Sequence, residues 1–179
     1  MDQFEALVGT LLEVEGYWVR HSFKVNLTKE EKRLIGKQST PRPEIDILAL
    51  RHHDNTVLAM EAKSFLDSPG VKLSDLQANF DVPTGRYKLF TCPQYRETVL
   101  NRLKQDLISC GMANEETTVL LGLAAGNVFK KQSKEIREHL EKRGMLVLTP
   151  EDIRAKVRML ATHPYENNLA VVLAKILKE

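Results

Sequence analysis

Two short apolar runs that each contain one acidic residue constrain the fold of this chain more than any other feature. The runs cover residues 44–50 and 56–65, and the four residues His-His-Asp-Asn come just before the second run. Runs of this length with a polar break between them predict two β-strands joined as a hairpin. If the turn is centred between His53 and Asp54, then Asp46 on the first strand lies directly opposite Glu61 on the second.

The opposition of Asp46 and Glu61 predicts a cation. Opposed residues of an antiparallel pair have Cβ atoms about 4.5–5.5 Å apart, and like charges there destabilise the sheet. Mg²⁺ would offset the repulsion, because it favours carboxylate oxygens and keeps waters that a phosphate can replace. Lys63 follows Glu61 by two residues, so strand alternation places both side chains on one face. Its ammonium could then orient a metal-bound water and stabilise charge on a phosphate.

Each of these residues also has a purely structural interpretation. Taken one at a time, Glu61 and Lys63 are more typical of an ion pair on the solvated face of an edge strand, and Asp46 of a cap at a strand end. The combination favours the metal site, because an acid within an apolar strand, an opposed acid and a lysine on the same face occur together.

The rest of the chain predicts one α/β domain over residues 1–179, with a mixed sheet flanked by helices. Residues 26–43 are polar, end in Pro-Arg-Pro and predict a loop. Tyr17 and Trp18 are expected in the core, and the histidines are assigned no chemistry. The periodicity predicts helices at residues 4–14, 72–80, 95–110, 134–143, 151–160 and 165–178, and further strands at 17–25, 87–92, 117–125 and 145–148.

The predicted loop lies in the most basic part of the chain. Seven basic residues and only two acidic ones lie between Arg20 and Arg42, although the net charge of the whole chain is only +2. Such a run is often a solvated, mobile loop. Because this one leads into the acidic pair, it also favours contacts with phosphates. The candidate nucleic-acid contacts are Lys29, Lys32, Arg33, Lys37 and Arg42.

The sequence Pro43-Glu44-Ile45-Asp46 followed by Glu61-Ala62-Lys63 resembles the PD-(D/E)XK motif of restriction-endonuclease-like nucleases. More narrowly, it is similar to that of Mrr-type restriction enzymes and archaeal Holliday-junction resolvases. In those families an aromatic-Glu pair opens the first helix and a Gly-aromatic pair ends it, as Phe4-Glu5 and Gly16-Tyr17 do here. The resemblance implies an αβββαβ nuclease core at residues 1–92. Residues 93–179, with the remaining strands and a mostly helical C-terminal extension, are unmatched.

The resemblance implies an endonuclease that uses Mg²⁺ or Mn²⁺ to hydrolyse phosphodiester bonds in DNA, with RNA as the alternative substrate. Asp46, Glu61, the backbone carbonyl of Ala62 and Glu5 would bind the metal, and Lys63 would position the attacking water. Gln77, on the helix after the second strand of the hairpin, matches a glutamine that some resolvase-like members carry near the site. Glu5 is equally typical of a first-turn acid that complements the helix dipole, and Gln77 of an exposed helix residue.

Two departures from the family pattern leave the substrate unassigned. The proline lies two residues further from the aspartate than in a strict Pro-Asp pair, and the basic insert at residues 26–43 is longer than the usual link. Two rival functions stay open: a binding module of this fold that does not cleave, and an interaction domain in which the motif is a surface ion-pair cluster. Cutting both DNA strands would require two sites, which favours a homodimer.

Several other classes of protein are disfavoured by the sequence. No run approaches the roughly 20 apolar residues of a membrane-spanning helix, and the N-terminal residues are acidic, unlike a secretory signal. Cys92 and Cys110 predict neither a disulfide framework nor a zinc site. Phosphate-binding, dinucleotide-binding and hydrolase-triad motifs are absent from the sequence. A cytoplasmic protein without a membrane partner is expected.

Overall fold

The hairpin predicted from the two apolar runs is present. The computed structural model describes residues 2–178, and in it strand β2 (Glu44–Arg51) pairs antiparallel with β3 (Thr56–Lys63). Ile47 lies opposite Met60, which confirms the predicted register and makes Asp46 and Glu61 the next residues on the two strands.

Five strands form one mixed sheet in the order β1-β2-β3-β4-β5. Strand β1 (Trp18–Lys24) is antiparallel to β2, whereas β4 (Thr118–Ala125) is parallel to β3 and β5 (Leu146–Leu148) is parallel to β4. A parallel pair needs a crossover of a dozen or more residues, so the helices between β3 and β4 supply that connection. The α/β class and the mixed sheet are therefore confirmed.

Helices cover both faces of this sheet. Strand alternation sends Leu48 and Ala59 to one face and Ile47 and Met60 to the other, and each face has its own hydrophobic cluster. Helices α5 and α6 pack on the first face, and α1, α7 and α8 on the second. The helices are α1 (Gln3–Val14), α2 (Lys29–Leu34), α3 (Leu73–Gln77), α4 (Lys88–Thr91), α5 (Pro93–Ser109), α6 (Ser133–Glu141), α7 (Pro150–Leu160) and α8 (Leu169–Ile176).

The strand predicted at residues 87–92 is wrong, because this segment is helical. Its backbone forms helical hydrogen bonds, with the amide of Thr91 donating to the carbonyl of Tyr87 and that of Cys92 to Lys88. Phe90 is fully buried, and a short buried apolar run gives the same sequence pattern in either conformation. The strand that completes an αβββαβ order is therefore β4, which ends at Ala125.

The loop predicted at residues 26–43 contains a helix. Thr28 caps α2 in a reciprocal pair with Glu31, each side chain accepting a hydrogen bond from the other residue's backbone amide. Glu31 also pairs with Arg102 of α5 at 2.8 Å. The basic segment is thus anchored to the body of the protein.

The two aromatic residues at the start of β1 lie in different surroundings. Tyr17 is buried as predicted, but Trp18 is 75% exposed, so its placement in the core was wrong. Trp18 is on β1, the edge strand of the sheet, and its side chain belongs to neither hydrophobic cluster. No helix among residues 2–178 is long and apolar enough to cross a membrane.

Gly126 makes the closest approach between the segments that follow β3 and β4. Its amide donates to the carbonyl of Lys63 at 2.9 Å, and a Cβ at this position would collide with the carbonyl oxygen of Ser64. We therefore expect Gly126→Ala to lower the free energy of unfolding by about 1–3 kcal/mol, the usual range for overpacking. Gly122→Ala is the control, because its Cβ would meet the flexible end of Met60 instead of backbone. Urea unfolding measures both, and an equal loss in the two variants would contradict the prediction.

Candidate active site

The three residues of the predicted motif lie together at the carboxyl end of β3. The Lys63 ammonium is 3.1 Å from Oδ2 of Asp46 and 3.2 Å from Oε2 of Glu61. The three side chains are between 11% and 21% exposed. The site is therefore sheltered from water without being sealed.

Asp46 is held where the two strands stop pairing. Ile47 and Met60 form the last residue pair of the β2–β3 ladder. Beyond it, Oδ2 of Asp46 accepts a hydrogen bond from the amide of Ala62 at 2.8 Å. A side-chain carboxylate thus satisfies a strand amide, and this bond fixes the orientation of the aspartate.

Strained backbone lies beside Asp46 on the neighbouring strand. Ser22 sits between His21 and Phe23, which pair with Ile47 and Ile45 of β2. Ser22 has a left-handed φ of 54°, a conformation that is uncommon for residues with a side chain. Such strain often occurs at functional sites, because the surrounding structure must impose it.

Glu61 is the most deeply buried acid of the group. Burial, assisted by the negative charge of Asp46, raises the pKa of Glu61 to about 7, although Lys63 opposes this shift. Its Oε1 is buried and accepts no hydrogen bond from any residue in the range 2–178. A buried carboxylate oxygen without a partner is energetically costly, so a proton or a cation would stabilise this atom.

Lys63 stays charged in this environment. Burial alone would lower the pKa of its ammonium, but the Glu61 and Asp46 carboxylates together prevail and raise it. When Glu61 is ionised, two negative charges face one positive charge. The cluster then has an uncompensated negative charge.

Glu5 lies within range of the charge of Asp46, but it also has a structural role. Burial raises the pKa of Glu5, and the charge of Asp46 adds to the effect. Its side chain accepts the amide of Asp2, while Asp2 accepts the amide of Glu5 at 2.8 Å, so the two form the N-terminal cap of α1. Among the described residues, no group of three or more His, Cys, Asp or Glu side chains is arranged to hold a metal ion. The predicted third carboxylate thus lies apart from the other two.

The remaining predicted residues lie at different distances from the cluster. Ala62 is fixed next to it by its hydrogen bond to Asp46. Gln77 is exposed at the end of α3 and forms no hydrogen bond with the cluster. His52 and His53 lie in the hairpin turn, at the other end of β3, as expected.

Two site residues were missed by the sequence analysis. Tyr95 is 2% exposed, and the ammonium of Lys88 is 5.3 Å from the centre of its ring. Burial, together with the charge of Glu61, raises the pKa of Tyr95 to about 12, and the charge of Lys88 acts in turn on Glu61. Both residues line a cavity of about 430 Å³, with Lys37 also in its wall. No sequence signal identified them: Lys88 was placed in the strand predicted at 87–92, and Tyr95 at the start of the helix predicted at 95–110.

The basic candidates are arranged around α2 and the segment after it. Lys29, Lys32, Arg33 and Lys37 have no carboxylate within 4 Å among residues 2–178, whereas Arg42 donates to the side chain of Asn26 at 3.3 Å. Lys37 lines the same cavity as Lys88 and Tyr95. The segment therefore presents uncompensated positive charge from a folded support.

Comparisons of this chain with protein-family models, with curated proteins and with solved structures give no match. The resemblance to PD-(D/E)XK nucleases thus depends on Asp46, Glu61 and Lys63 and on the strands that carry them.

The raised pKa of Glu61 predicts how the stability of the metal-free protein depends on pH. Burial raises the pKa of Glu61 to about 7 in the fold from its ordinary value of 4.5, so the native state binds more protons between these values. This carboxyl should therefore lower the free energy of unfolding by about 3 kcal/mol as the pH rises from 4.5 to 7. In Glu61→Gln this side chain cannot titrate, so the free energy of unfolding should not fall for this reason over that pH range. Asp46 still pairs with Lys63 in the variant.

The measurement is urea unfolding in EDTA at several pH values. The free energy of unfolding of Glu61→Gln minus that of the wild type should increase between pH 4.5 and 7 and then stay constant. Glu97→Gln, which removes an exposed acid on α5, should follow the wild type. A difference that does not vary with pH would show that Glu61 titrates as an ordinary surface acid does.

Proposed function

We propose that the chain is a metal-dependent endonuclease of the PD-(D/E)XK type, with a restriction-endonuclease-like fold, which hydrolyses phosphodiester bonds in DNA. One observation carries this proposal. Adjacent strands bring Asp46 and Glu61 together, with one Glu61 oxygen buried and unpartnered and the Lys63 ammonium within 3.2 Å of both carboxylates.

The residues present fit a divalent metal of the Mg²⁺ or Mn²⁺ type. Lys63 contacts Oδ2 of Asp46 and Oε2 of Glu61. Oδ1 of Asp46 and Oε1 of Glu61 accept no hydrogen bond from the described residues. Hard carboxylate oxygens are the donors that these ions prefer. Asp46 and Glu61 would hold the ion, with the Ala62 carbonyl and Glu5 as additional candidates.

When bound, the metal would activate water and stabilise negative charge on the phosphate. The chain's own residues supply the rest. Lys63 would hold the attacking water and face the charge that builds on the phosphate. Lys88 and Tyr95, beside Glu61 in the cavity wall, would contact the substrate phosphate. Gln77 would act only through substrate contacts, since it is exposed at the end of α3.

A second candidate function has one observation in its favour. Lys63 pairs with both carboxylates at 3.1 and 3.2 Å, which is also the geometry of a structural ion-pair cluster in an interaction domain. A buried cluster of this kind would not leave Oε1 of Glu61 without a partner. The unpartnered oxygen therefore favours the nuclease. The homodimer that double-strand cleavage would require is part of the proposal, as is DNA in preference to RNA.

Substitution of Asp46 and of Lys63 should abolish cleavage by different routes. Asp46→Ala should lose metal binding, because it removes one of the two carboxylates. Lys63→Ala should retain the metal and lose turnover. Calorimetric titration with Mn²⁺ and cleavage of labelled DNA measure the two properties. Metal at a hundredfold excess over Kd should stabilise the wild type by about 2.7 kcal/mol, and Asp46→Ala should show no such stabilisation.

Asp54→Ala is the matched control, because it removes an aspartate from the far end of the same hairpin. It should bind metal and cleave as the wild type does. Cleavage by Asp46→Ala at the wild-type rate in saturating Mg²⁺ would refute the site assignment. A wild type that neither binds metal nor gains stability from it would favour the structural cluster.

Neutralising the α2 segment should weaken DNA binding without changing metal affinity. If Lys29, Lys32, Arg33 and Lys37 each contact one phosphate, their replacement by Gln should make the slope of log K against log salt shallower by up to about 3.6. Base preference should hardly change, since phosphate contacts position the protein without specifying sequence. Binding is measured over a salt series in a Lys63→Ala background.

The control variant for the α2 segment neutralises four other basic residues on or next to α5, α6 and α7: Lys104, Lys142, Arg154 and Arg158. The slope of log K against log salt for this control should stay close to that of the Lys63→Ala protein. An unchanged slope in the α2 variant would mean that the segment is only solvated.

A further inference from the structure

Two lysines lie over one aromatic ring just beyond the carboxyl ends of β3 and β4, and a third lysine follows directly in the chain. The amide of Val71 donates to the carbonyl of Asn127, and the amide of Phe129 donates back to the carbonyl of Val71, both at 2.9 Å. This pairing places Lys72 beside the short 3₁₀ turn Phe129–Lys131. The ammonium groups of Lys72 and Lys130 each lie 5.2 Å from the centre of the Phe129 ring.

The positive charge of these lysines is uncompensated. No carboxylate among residues 2–178 lies within 4 Å of the ammonium of Lys72, Lys130 or Lys131. Lys130 and Lys131 are exposed. Like charges brought together without a counter-charge repel one another, so the arrangement favours a bound anion.

The fold imposes this arrangement against a backbone preference. Lys130 and Lys131 are consecutive left-handed residues, with φ of 48° and 59°, and side chains with a Cβ rarely adopt that conformation. Gly70 lets the two segments approach closely, since a Cβ there would lie 2.7 Å from the backbone of Asn127 and Val128. Two adjacent strained lysines with no partner are better explained by a ligand than by packing.

The lysines lie at the same end of the parallel strands as the candidate active site. Strands β3 and β4 are parallel, so their carboxyl ends lie side by side, and the amide of Gly126 donates to the carbonyl of Lys63. A cavity of about 290 Å³ next to this end of the sheet is lined by Lys72, Arg86 and Tyr87, with Asp75 also in its wall. Tyr87 is near enough to Lys63 for the ammonium to act on its pKa, which burial raises. The cavity therefore lies at the end of the strands where Lys63 lies, and Lys72 is in its wall.

We propose that Lys72, Lys130 and Lys131 form a second phosphate-binding site, which holds a backbone phosphate of DNA beside the bond that is cut. The choice of DNA as the ligand rests on the function proposed above. A DNA strand has one phosphate per about 3.4 Å of helix axis, so a strand placed at Lys63 presents further phosphates at this end of the sheet. The lysines would thus set the direction in which the strand leaves the site.

The test is the salt dependence of DNA binding in EDTA, where binding is measured without cleavage. In the variant Lys130→Gly with Lys131→Gly, glycine adopts the left-handed conformation without strain, so the fold is retained. Binding of a short fluorescein-labelled duplex over about 50 to 200 mM salt should show a slope shallower by about 1.8 than that of the wild type. Adding Lys72→Gln should increase the difference to about 2.7.

The matched control is Lys104→Gln with Lys142→Gln, which removes the same charge from the opposite end of the parallel strands. Lys104 donates to the carbonyl of Glu115, ahead of β4, and Lys142 follows α6, ahead of β5. The control should bind with the wild-type slope. The melting temperature of the glycine variant should equal or exceed that of the wild type. If it falls, Lys130→Asn with Lys131→Asn replaces it, because Asn tolerates this conformation.

The outcomes separate this site from the nuclease proposal. A shallower slope in the lysine variants supports the site, even if the wild type binds DNA and fails to cleave it with Mg²⁺. A wild-type slope in the lysine variants overturns the site, even if cleavage is intact. If the slope of log K against log salt becomes shallower by the same amount in the control and in the lysine variants, the second phosphate-binding site is also overturned. If the wild type binds no DNA at all, both proposals fail.

Discussion

The position of the Lys63 ammonium between two carboxylates is the interaction on which the rest of the site depends. The apolar contacts on both faces of the sheet hold β2 and β3 together, and the register then brings Asp46 and Glu61 to the end of the pairing. Charges in this partly buried position interact more strongly than charges in water. Without the ammonium at 3.1 and 3.2 Å, two carboxylates would lie side by side with little solvent to separate them.

The contacts of Lys63 leave room for a second cation. The ammonium uses one oxygen of each carboxylate, Oδ2 of Asp46 and Oε2 of Glu61, so a metal would not have to displace it. Metal binding would instead compete with the proton that Glu61 carries below a pKa of about 7. Carboxylate ligands must be deprotonated to coordinate. The affinity for metal should therefore rise with pH through this range, while the lysine keeps its place.

The sequence predicted the centre of the site because strand pairing obeys a simple geometric rule. Once the hairpin turn was placed between His53 and Asp54, the alternation of side chains determined which acid faces which, and the structure has that register. Helix α7 was equally predictable, because Thr149 and Asp152 form a cap that is visible in the sequence. These features depend on residues that are close together in the chain.

The features that escaped prediction depend on contacts between distant residues. Residues 87–92 are apolar enough for a strand, but β4 occupies the position beside β3 and the segment forms a short helix instead. Lys88 lies on that helix and Tyr95 on the next one, α5, so only the tertiary fold brings them near Glu61, and no local pattern could assign them to the site. Trp18 resembles a core residue by type, and only the position of β1 at the sheet edge leaves it exposed.

The electrostatic field around the site depends on which basic side chains are paired with acids. Several arginines are paired with acids, as Arg51 is with Asp54, Arg102 with Glu31 and Arg137 with Asp152. The lysines near the acidic pair are not: Lys37, Lys88, Lys72 and Lys130 have no carboxylate within 4 Å among the described residues. Unpaired lysines contribute little to stability, because a lone ammonium gains no Coulomb energy from a neighbour. Placed around a negative centre, they instead produce a field that attracts a polyanion and leaves room at the acids for a divalent cation. A net charge of only +2 for the whole chain therefore does not exclude local positive charge in the cavity wall that Lys37 and Lys88 form.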